Sequence, residues 1–220
     1  MGTLYLVATP IGNLDDISKR ALGTLAGVDL ILAEDTRVSG KLLGHYGIKT
    51  QVASYHQHSG EGKMLEVLSL LLGGKDVALV SDAGTPGIAD PGNELVDFIN
   101  ENSEVQIIPV PGPSAVTAAL SVCGFNVSKY LFLGFWPKKK VSKAIKLIKL
   151  TKTSLVFFES PHRIVKTLEK LHEAVAQRRV FIGRELTKMH ETHYRGSLDE
   201  VIIKLKSEKF LKGELVVVVE

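Results

Sequence analysis

Residues 77–92 read VALVSDAGTPGIADPG, four apolar residues followed directly by a loop rich in glycine and proline. Such a short apolar run before turn-forming residues is typical of a strand buried on both faces of a parallel sheet. Glycine lets the backbone approach a ligand closely and proline stiffens a loop, so residues 81–92 are a candidate preformed binding site. The segment therefore predicts an α/β fold with a ligand site at the carboxyl ends of its strands.

The same arrangement recurs on both sides of this segment. Apolar runs predict further strands at Leu4–Ala8, Leu30–Ala33 and Val105–Val110. Apolar residues that recur every three to four positions predict helices at Ile17–Leu25 and Met64–Leu72. Apolar strands that alternate with helices favour a mostly parallel sheet with both faces covered.

Two more loops rich in glycine or proline follow the first and last of these strands. They are Thr9–Asp15 (TPIGNLD) and Pro111–Ala115 (PGPSA). Ser114 and Ala115 stand at a helix start, where backbone N–H groups can receive a carboxylate. A simple turn between strand and helix is the alternative for each loop, but three loops at one sheet edge favour a binding site.

From Ser128 onward the composition becomes aromatic and basic, and the alternation begins again. Strands are predicted at Leu131–Phe135, Ser154–Phe158, Arg179–Gly183 and Leu215–Val219. A helix is predicted with Ser160 as its cap and Pro161 in its first turn. We therefore predict two α/β domains, residues 1–125 with a mostly parallel sheet and residues 126–220 with a mixed sheet.

The charge is distributed unevenly along the chain. Residues 1–128 carry seven lysines and arginines against fourteen acids, whereas residues 129–220 carry twenty against ten. Residues 129–152 include eight lysines and no acid, among them Lys138, Lys139 and Lys140 directly after the sequence GFWP. Aromatic and basic side chains together suit unstacked RNA bases and phosphates. The alternatives are a solvated helix face for the lysines and interior packing for Trp136.

Several function classes lack support. No apolar run approaches the roughly 18–20 residues of a membrane helix, and no Gly-x-Gly-x-x-Gly or complete P-loop motif is present. The single cysteine, Cys123, excludes an internal disulfide and favours a reducing, cytoplasmic location. His190 and His193 lack the spacing of a zinc-binding helix, so we predict neither a metal site nor a membrane protein.

The glycine-rich loops and several strings of the second half resemble the tetrapyrrole-methylase superfamily and, within it, ribosomal RNA 2′-O-methyltransferases. The matching strings are ATPIGNLDDIS (Ala8–Ser18), AEDTR (Ala33–Arg37), VSDAGTPGIADPG (Val80–Gly92), PGPSA (Pro111–Ala115), FFESPHR (Phe157–Arg163), GRELTKMHET (Gly183–Thr192) and KGELVVVV (Lys212–Val219). They cover nearly the whole chain in order. Longer members continue past the final strand into a small helical region, whereas this chain stops at Glu220.

The resemblance implies two α/β domains with S-adenosylmethionine in the cleft between them, and methylation of a cytidine 2′-hydroxyl in the decoding region of small ribosomal subunit RNA. It also implies a homodimer. The implied cofactor contacts are Ile11, Gly12, Gly84, Thr85, Gly87, Ser114, Ala115, Phe158, Gly183, Arg184, Glu185, Glu214 and Leu215. Asp35, Arg37 and Asp82 are the candidate catalytic residues, and the candidate substrate contacts are Asn13, Lys138, Lys139, Lys140 and Arg163. Glu159, Glu185 and His56 are weaker candidates for a general base.

Two other functions remain open at this point. One is methylation of a small tetrapyrrole on the same scaffold, which the many lysines of the second half disfavour. The other is a non-catalytic RNA-binding homologue, which the intact glycine loops disfavour.

Overall fold

The computed structural model describes residues 1–56, 59–208 and 210–220. Strands and helices alternate through most of these ranges. Among the helices that they contain, none is long and apolar enough to cross a membrane.

The chain divides into two compact units, Met1–Ser114 and Ala115–Glu220. Each contains a sheet of five strands. The boundary predicted at 125/126 comes later in the chain than this division, because the helix Ala115–Val122 contacts the last strand of the second unit.

The sheet of the first unit is wholly parallel. Its strands are β1 (Thr3–Val7), β2 (Leu30–Ala33), β3 (Val52–Ser54), β4 (Val77–Val80) and β5 (Gln106–Val110). They lie in the order β3-β2-β4-β1-β5, and each neighbouring pair is parallel. Every residue of β2 and β4 is buried, as expected for strands covered on both faces. The predicted parallel sheet is confirmed, with the strand of residues 77–80 at its centre.

Helices cover both faces of this sheet. They are α1 (Lys19–Gly27), α2 (Thr36–His45), α3 (Glu61–Leu72) and α4 (Asn93–Asn102), with a short 3-10 turn at Leu14–Asp16. On one face α1 and α2 bury Leu25 and Leu43, and on the other α3 and α4 bury Leu71 and Ile99. A ligand can therefore reach the sheet only at the ends of its strands.

The sheet of the second unit is mixed, as predicted. Its strands are β6 (Tyr130–Phe135), β7 (Ser154–Glu159), β8 (Arg179–Arg184), β9 (Thr192–Ser197) and β10 (Leu215–Val219). They lie in the order β6-β7-β10-β8-β9. The pair β6–β7 is parallel and the other neighbouring pairs are antiparallel. All five residues of β10 are buried at the centre of the sheet.

Four helices accompany this second sheet. They are α5 (Ala115–Val122), α6 (Val141–Leu150), α7 (Ile164–Val175) and α8 (Leu198–Ser207). A core that includes Phe157, Leu168 and Val201 lies between the sheet and α6–α8. Helix α7 begins at Ile164, later than predicted, because residues 161–163 form a tighter turn in which the Ser160 carbonyl accepts from the backbone N–H of Arg163.

Candidate active site

Three loops of the first unit lie together because the strands that they follow, β4, β1 and β5, are neighbours in the sheet. Thr9 and Gly84 form an isolated antiparallel bridge, in which each backbone N–H donates to the other residue's carbonyl, at N–O distances of 2.9 and 3.0 Å. The Thr85 hydroxyl donates a long hydrogen bond of 3.5 Å to the Pro113 carbonyl. The three loops predicted to meet at one sheet edge are therefore joined to one another.

Gly84 lies at the junction of these loops. Its φ of +82° is in the left-handed region, which strongly favours glycine. A Cβ built there would lie 3.5 Å from Cγ2 of Ile11 in the first loop and 3.8 Å from the Pro113 carbonyl oxygen in the third. At Gly87, where φ is +79°, a Cβ would lie 2.6 Å from Oδ1 of Asn93. Both positions need glycine, which agrees with a site built from closely spaced backbone.

The predicted contacts of the first loop differ in exposure. Ile11 is buried, whereas Gly12 and Asn13 are exposed. The Asn13 side chain accepts from the Asp15 N–H at 3.1 Å and caps the 3-10 turn. This bond fixes the shape of the loop. The contact of Asn13 with the substrate stays a prediction.

The candidate catalytic residues Asp35, Arg37 and Asp82 lie together at the ends of β2 and β4. The Asp82 carboxylate accepts from the Asp35 backbone N–H at 3.0 Å. Arg37 donates to both Asp35 carboxylate oxygens, with Nη2–Oδ2 at 2.6 Å and Nε–Oδ1 at 3.0 Å. This hydrogen-bonded ion pair lowers the pKa of Asp35 to about 2. Asp35 is thus a weak proton acceptor, and it also caps α2 through the Arg37 N–H.

The sequence interpretation missed a neighbouring carboxylate, that of Glu34. This half-buried residue directly follows β2. Burial raises the pKa of Glu34, and the negative charge of Asp82 raises it further, although the Asp82 backbone N–H donates a hydrogen bond to its carboxylate. The residue stands in the quoted string AEDTR, and a carboxylate directly after a fully buried parallel strand was the signal that could have identified it.

In the second unit, the predicted cofactor contacts at residues 183–185 and 214–215 lie where β8 ends and the neighbouring strand β10 begins. Arg184 is paired with Leu215 in the ladder between them. Glu185 has a left-handed φ of 51°, which is unusual for a residue other than glycine. Its carboxylate accepts from Lys188 and from the Glu214 N–H, both at 2.9 Å. Although burial acts in the opposite direction, these bonds lower the pKa of Glu185.

Gly183 and Phe158, also predicted cofactor contacts, are packed differently. Gly183 is buried, and a Cβ there would lie 2.8 Å from Cδ2 of Leu186. Phe158 is half-buried and makes edge contacts with Phe132 and Phe135. Leu186 packing therefore requires glycine at position 183, while part of the Phe158 side chain is open to solvent.

Arg163 and Glu159 take part in the internal structure of the second unit. Nη2 of Arg163 donates to the carbonyls of Trp136 and Pro137 at 3.3 Å. The Glu159 side chain is 1% exposed and accepts from the Ser160 N–H at 2.7 Å. A carboxylate so enclosed cannot reach a substrate hydroxyl, and Arg163 holds the loop after β6.

The basic segment of residues 138–140 is exposed between β6 and α6. Trp136 is 2% exposed and packs on Phe157, with ring centroids 4.7 Å apart. The interior alternative is thus the correct one for Trp136. Of the residues that the structure describes, no group of three or more histidines, cysteines or acids could hold a metal ion.

Comparison with known proteins identifies the family. Residues 3–202 match the model of the Tetrapyrrole (Corrin/Porphyrin) Methylases. Ribosomal RNA small subunit methyltransferase I of Thermotoga maritima is 48% identical over 220 residues, covering 99% of this chain and 98% of that protein. The protein of the same name from Halalkalibacterium halodurans is 45% identical, covering all of this chain and 76% of the relative.

The fold agrees with that of a solved relative. The crystal structure of the methyltransferase CobJ superposes with a TM-score of 0.74 at 17% identity, covering 100% of this chain and 94% of that one. At this identity the likeness concerns the fold alone. The family model and the two ribosomal RNA methyltransferases show that the chain belongs to the tetrapyrrole methylases and, within them, to the family of ribosomal RNA small subunit methyltransferase I.

Proposed function

We propose that this chain transfers a methyl group from S-adenosylmethionine to the 2′-hydroxyl of a cytidine in the decoding region of small-subunit ribosomal RNA. Membership of the family makes the chain an S-adenosylmethionine-dependent methyltransferase. The observation that carries the proposal is the junction of three loops at Gly84, together with the family strings that form it. The nucleotide and its ribose oxygen come from the resemblance alone.

The residues of the first unit fit a cofactor held through backbone groups. The loops turn through left-handed backbone at Gly84 and Gly87, with φ of +82° and +79°, a conformation that favours glycine. We propose that the predicted cofactor contacts in these loops bind S-adenosylmethionine, and these are Ile11, Gly12, Gly84, Thr85, Gly87, Ser114 and Ala115. Those predicted in the second unit, on β7, β8 and β10, are proposed contacts of the same cofactor.

When bound, S-adenosylmethionine supplies a methyl group that is already activated by attachment to a positively charged sulfur. The protein then has to hold the ribose hydroxyl in line with that methyl group. Alignment of two reactants can contribute roughly 7–11 kcal/mol toward lowering the barrier. A general base that accepts the hydroxyl proton adds roughly 10²- to 10⁴-fold in rate.

The carboxylates at the ends of β2 and β4 are suited to different roles, one to positioning the substrate and another to accepting the proton. Asp35, with a pKa of about 2, is too weak a base to take the proton. Its ion pair with Arg37 is suited to positioning, and the Arg37 side chain is 87% exposed, so its guanidinium can meet a phosphate. Glu34 is the better acceptor, because its pKa is raised, which strengthens it as a base.

The basic second unit supports an RNA substrate over a small tetrapyrrole. Eight lysines without an acid in residues 129–152 provide far more positive charge than one small molecule requires. We propose small-subunit RNA as the partner. The homodimer predicted from the family resemblance and the cytoplasmic location predicted from the single cysteine stay predictions.

The decisive experiment incubates the purified chain with labelled S-adenosylmethionine and undermethylated small ribosomal subunits, and maps the modified nucleotide. We expect one 2′-O-methylated cytidine in the decoding region. Incorporation of label into a tetrapyrrole but not into RNA would instead favour methylation of a small tetrapyrrole on the same fold. Cofactor and RNA binding without turnover would identify a non-catalytic homologue.

A further inference from the structure

Phe135, at the end of the edge strand β6, is unusually exposed for its size. It is 66% exposed, whereas its neighbour Trp136 is 2% exposed. In a strictly alternating strand, Phe135 would lie on the same side as Leu131 and Leu133, which pack against the interior core. The structure instead places Trp136 in that core and leaves Phe135 outside.

A β-bulge causes this exchange of sides. Phe132 is paired with Val156 of β7 and Phe135 with Phe158, so β6 has one residue more than β7 in this interval. Gly134, within the interval, has a left-handed φ of +64°. Bulges of this kind re-aim a side chain and are frequent beside functional sites. The backbone is therefore shaped to keep the Phe135 ring out of the core.

The exposed ring is held in place from one side. Its centroid lies 5.3 Å from that of Phe158 at an angle of 61°, and Phe158 in turn lies 5.2 Å from Phe132 at 72°. A single edge contact of this type covers at most one face of a ring. An aromatic group already positioned in this way loses little conformational freedom when a flat ligand stacks on it.

Positive charge follows directly along the chain. Lys138, Lys139 and Lys140 are exposed, and no ion pair in the described part of the chain involves any of them. Arg163 holds the intervening carbonyls of residues 136 and 137, so the ring and the first lysines are linked by a fixed segment. An aromatic face beside a basic segment is the arrangement with which proteins bind single-stranded nucleic acid.

We propose that Phe135 is a stacking platform for an unstacked base of the RNA substrate, with Lys138–Lys140 binding the adjoining phosphates. The inference rests on the proposed function, which supplies the RNA. From the sequence alone, either Phe135 or Trp136 could stack on a base. Because the Trp136 indole is buried and the Phe135 ring is exposed, we assign this role to Phe135.

The first test compares Phe135→Ala with Phe210→Ala, which removes a ring that is 76% exposed elsewhere in the same unit. Stacking on one base predicts that Phe135→Ala lowers kcat/KM for undermethylated small subunits by about tenfold to a hundredfold. Tm should stay at its wild-type value, because the ring is largely outside the core. Since Phe135 contacts Phe158, a proposed cofactor residue, affinity for S-adenosylmethionine is measured alongside, and a loss of cofactor affinity that accounts for the fall in kcat/KM would overturn the platform. Phe135→Tyr should retain activity, and Phe210→Ala should behave as wild type.

The second test reads stacking directly. The Phe135→Trp variant adds an exposed indole to a chain whose single tryptophan is buried. Its fluorescence should be quenched by a short single-stranded ribo-oligonucleotide and not by inorganic polyphosphate, which has charge but no bases.

Different failures are distinguishable. A wild-type chain that neither binds nor methylates RNA would refute the proposed function. Wild-type RNA methylation that survives Phe135→Ala within twofold would refute only the platform. A change of oligomeric state in Phe135→Ala, with RNA binding intact, would show that a second copy covers the ring and would also overturn the platform.

Discussion

Gly84→Val tests whether the junction of the three loops forms the cofactor site. At a φ of +82°, an L-residue costs about 1–2 kcal/mol relative to glycine, and a β-branched side chain is among the least tolerant. The new Cβ itself meets Ile11 at 3.5 Å, an ordinary contact, but the two methyl groups beyond it must fit near Ile11 and Pro113. We expect loss of about 2 kcal/mol or more in unfolding free energy and at least about tenfold weaker binding of S-adenosylmethionine.

The chain provides a matched control for the backbone part of this effect. Gly74, in the turn after α3, has a φ of +86°, and a Cβ at this position would have no atom within 4 Å. Gly74→Ala and Gly84→Ala should therefore lose similar unfolding free energy, about 1–2 kcal/mol each in urea titrations. Calorimetric titration should show weaker cofactor binding for the Gly84 variants alone. Equal cofactor affinity in Gly84→Val and wild type, with both folded, would refute the assignment of this junction.

Four further predictions have separate readouts. Glu34→Gln should lower kcat by about 10²-fold or more if Glu34 is the base, and an unchanged kcat would exclude the role. Because its raised pKa makes ionisation less favourable in the folded than in the unfolded state, the same variant should be at least as stable as wild type at pH 7. Activity of the wild type should fall with decreasing pH around a pKa above the ordinary 4.5 of a glutamate, and a limb near 2 would instead indicate Asp35. Neutralising Lys138–Lys140 together should reduce the slope of log affinity against log salt by about 0.7 for each phosphate that these lysines neutralise, and an unchanged slope would remove the segment from the RNA interface. Thr167→Val should cost about 1–3 kcal/mol in unfolding free energy, because it takes from buried Glu159 a hydrogen bond of 2.7 Å, with activity unchanged at a temperature where the variant is folded.

The strands that the sequence predicted are those with continuous apolar character. β2 and β4 were recognisable because all their residues are buried. The short edge strand β3 and the edge strand β9, which has one buried residue in six, were missed. The edge strands β5 and β6 were predicted because their sequences are apolar, whereas β3 has only three residues and β9 (THYRGS) is mostly polar, so both carry little hydrophobic signal.

The candidate site was predictable where backbone geometry needs special residues, and less so where side-chain contacts decide. Three glycine- and proline-rich loops could be placed at one edge because parallel strands have their carboxyl ends together. The ion pair of Asp35 with Arg37, which makes Asp35 a poor base, depends on side-chain geometry that spacing alone does not reveal. The bulge at Gly134 likewise reverses the sides that alternation assigns to Phe135 and Trp136.

The position of β10 has a consequence for synthesis of the protein. This buried strand lies between β7 and β8 and pairs with both, although both precede it in the chain. While the polypeptide emerges from the ribosome, β7 can pair with β6 and β8 with β9, but the two pairs must wait for residues 215–219 before β10 can join them into one sheet. The five strands of the first unit, in contrast, are all available once residue 110 has emerged. We therefore expect vectorial folding, with the amino-terminal half protected from protease on stalled nascent chains well before the carboxyl-terminal half.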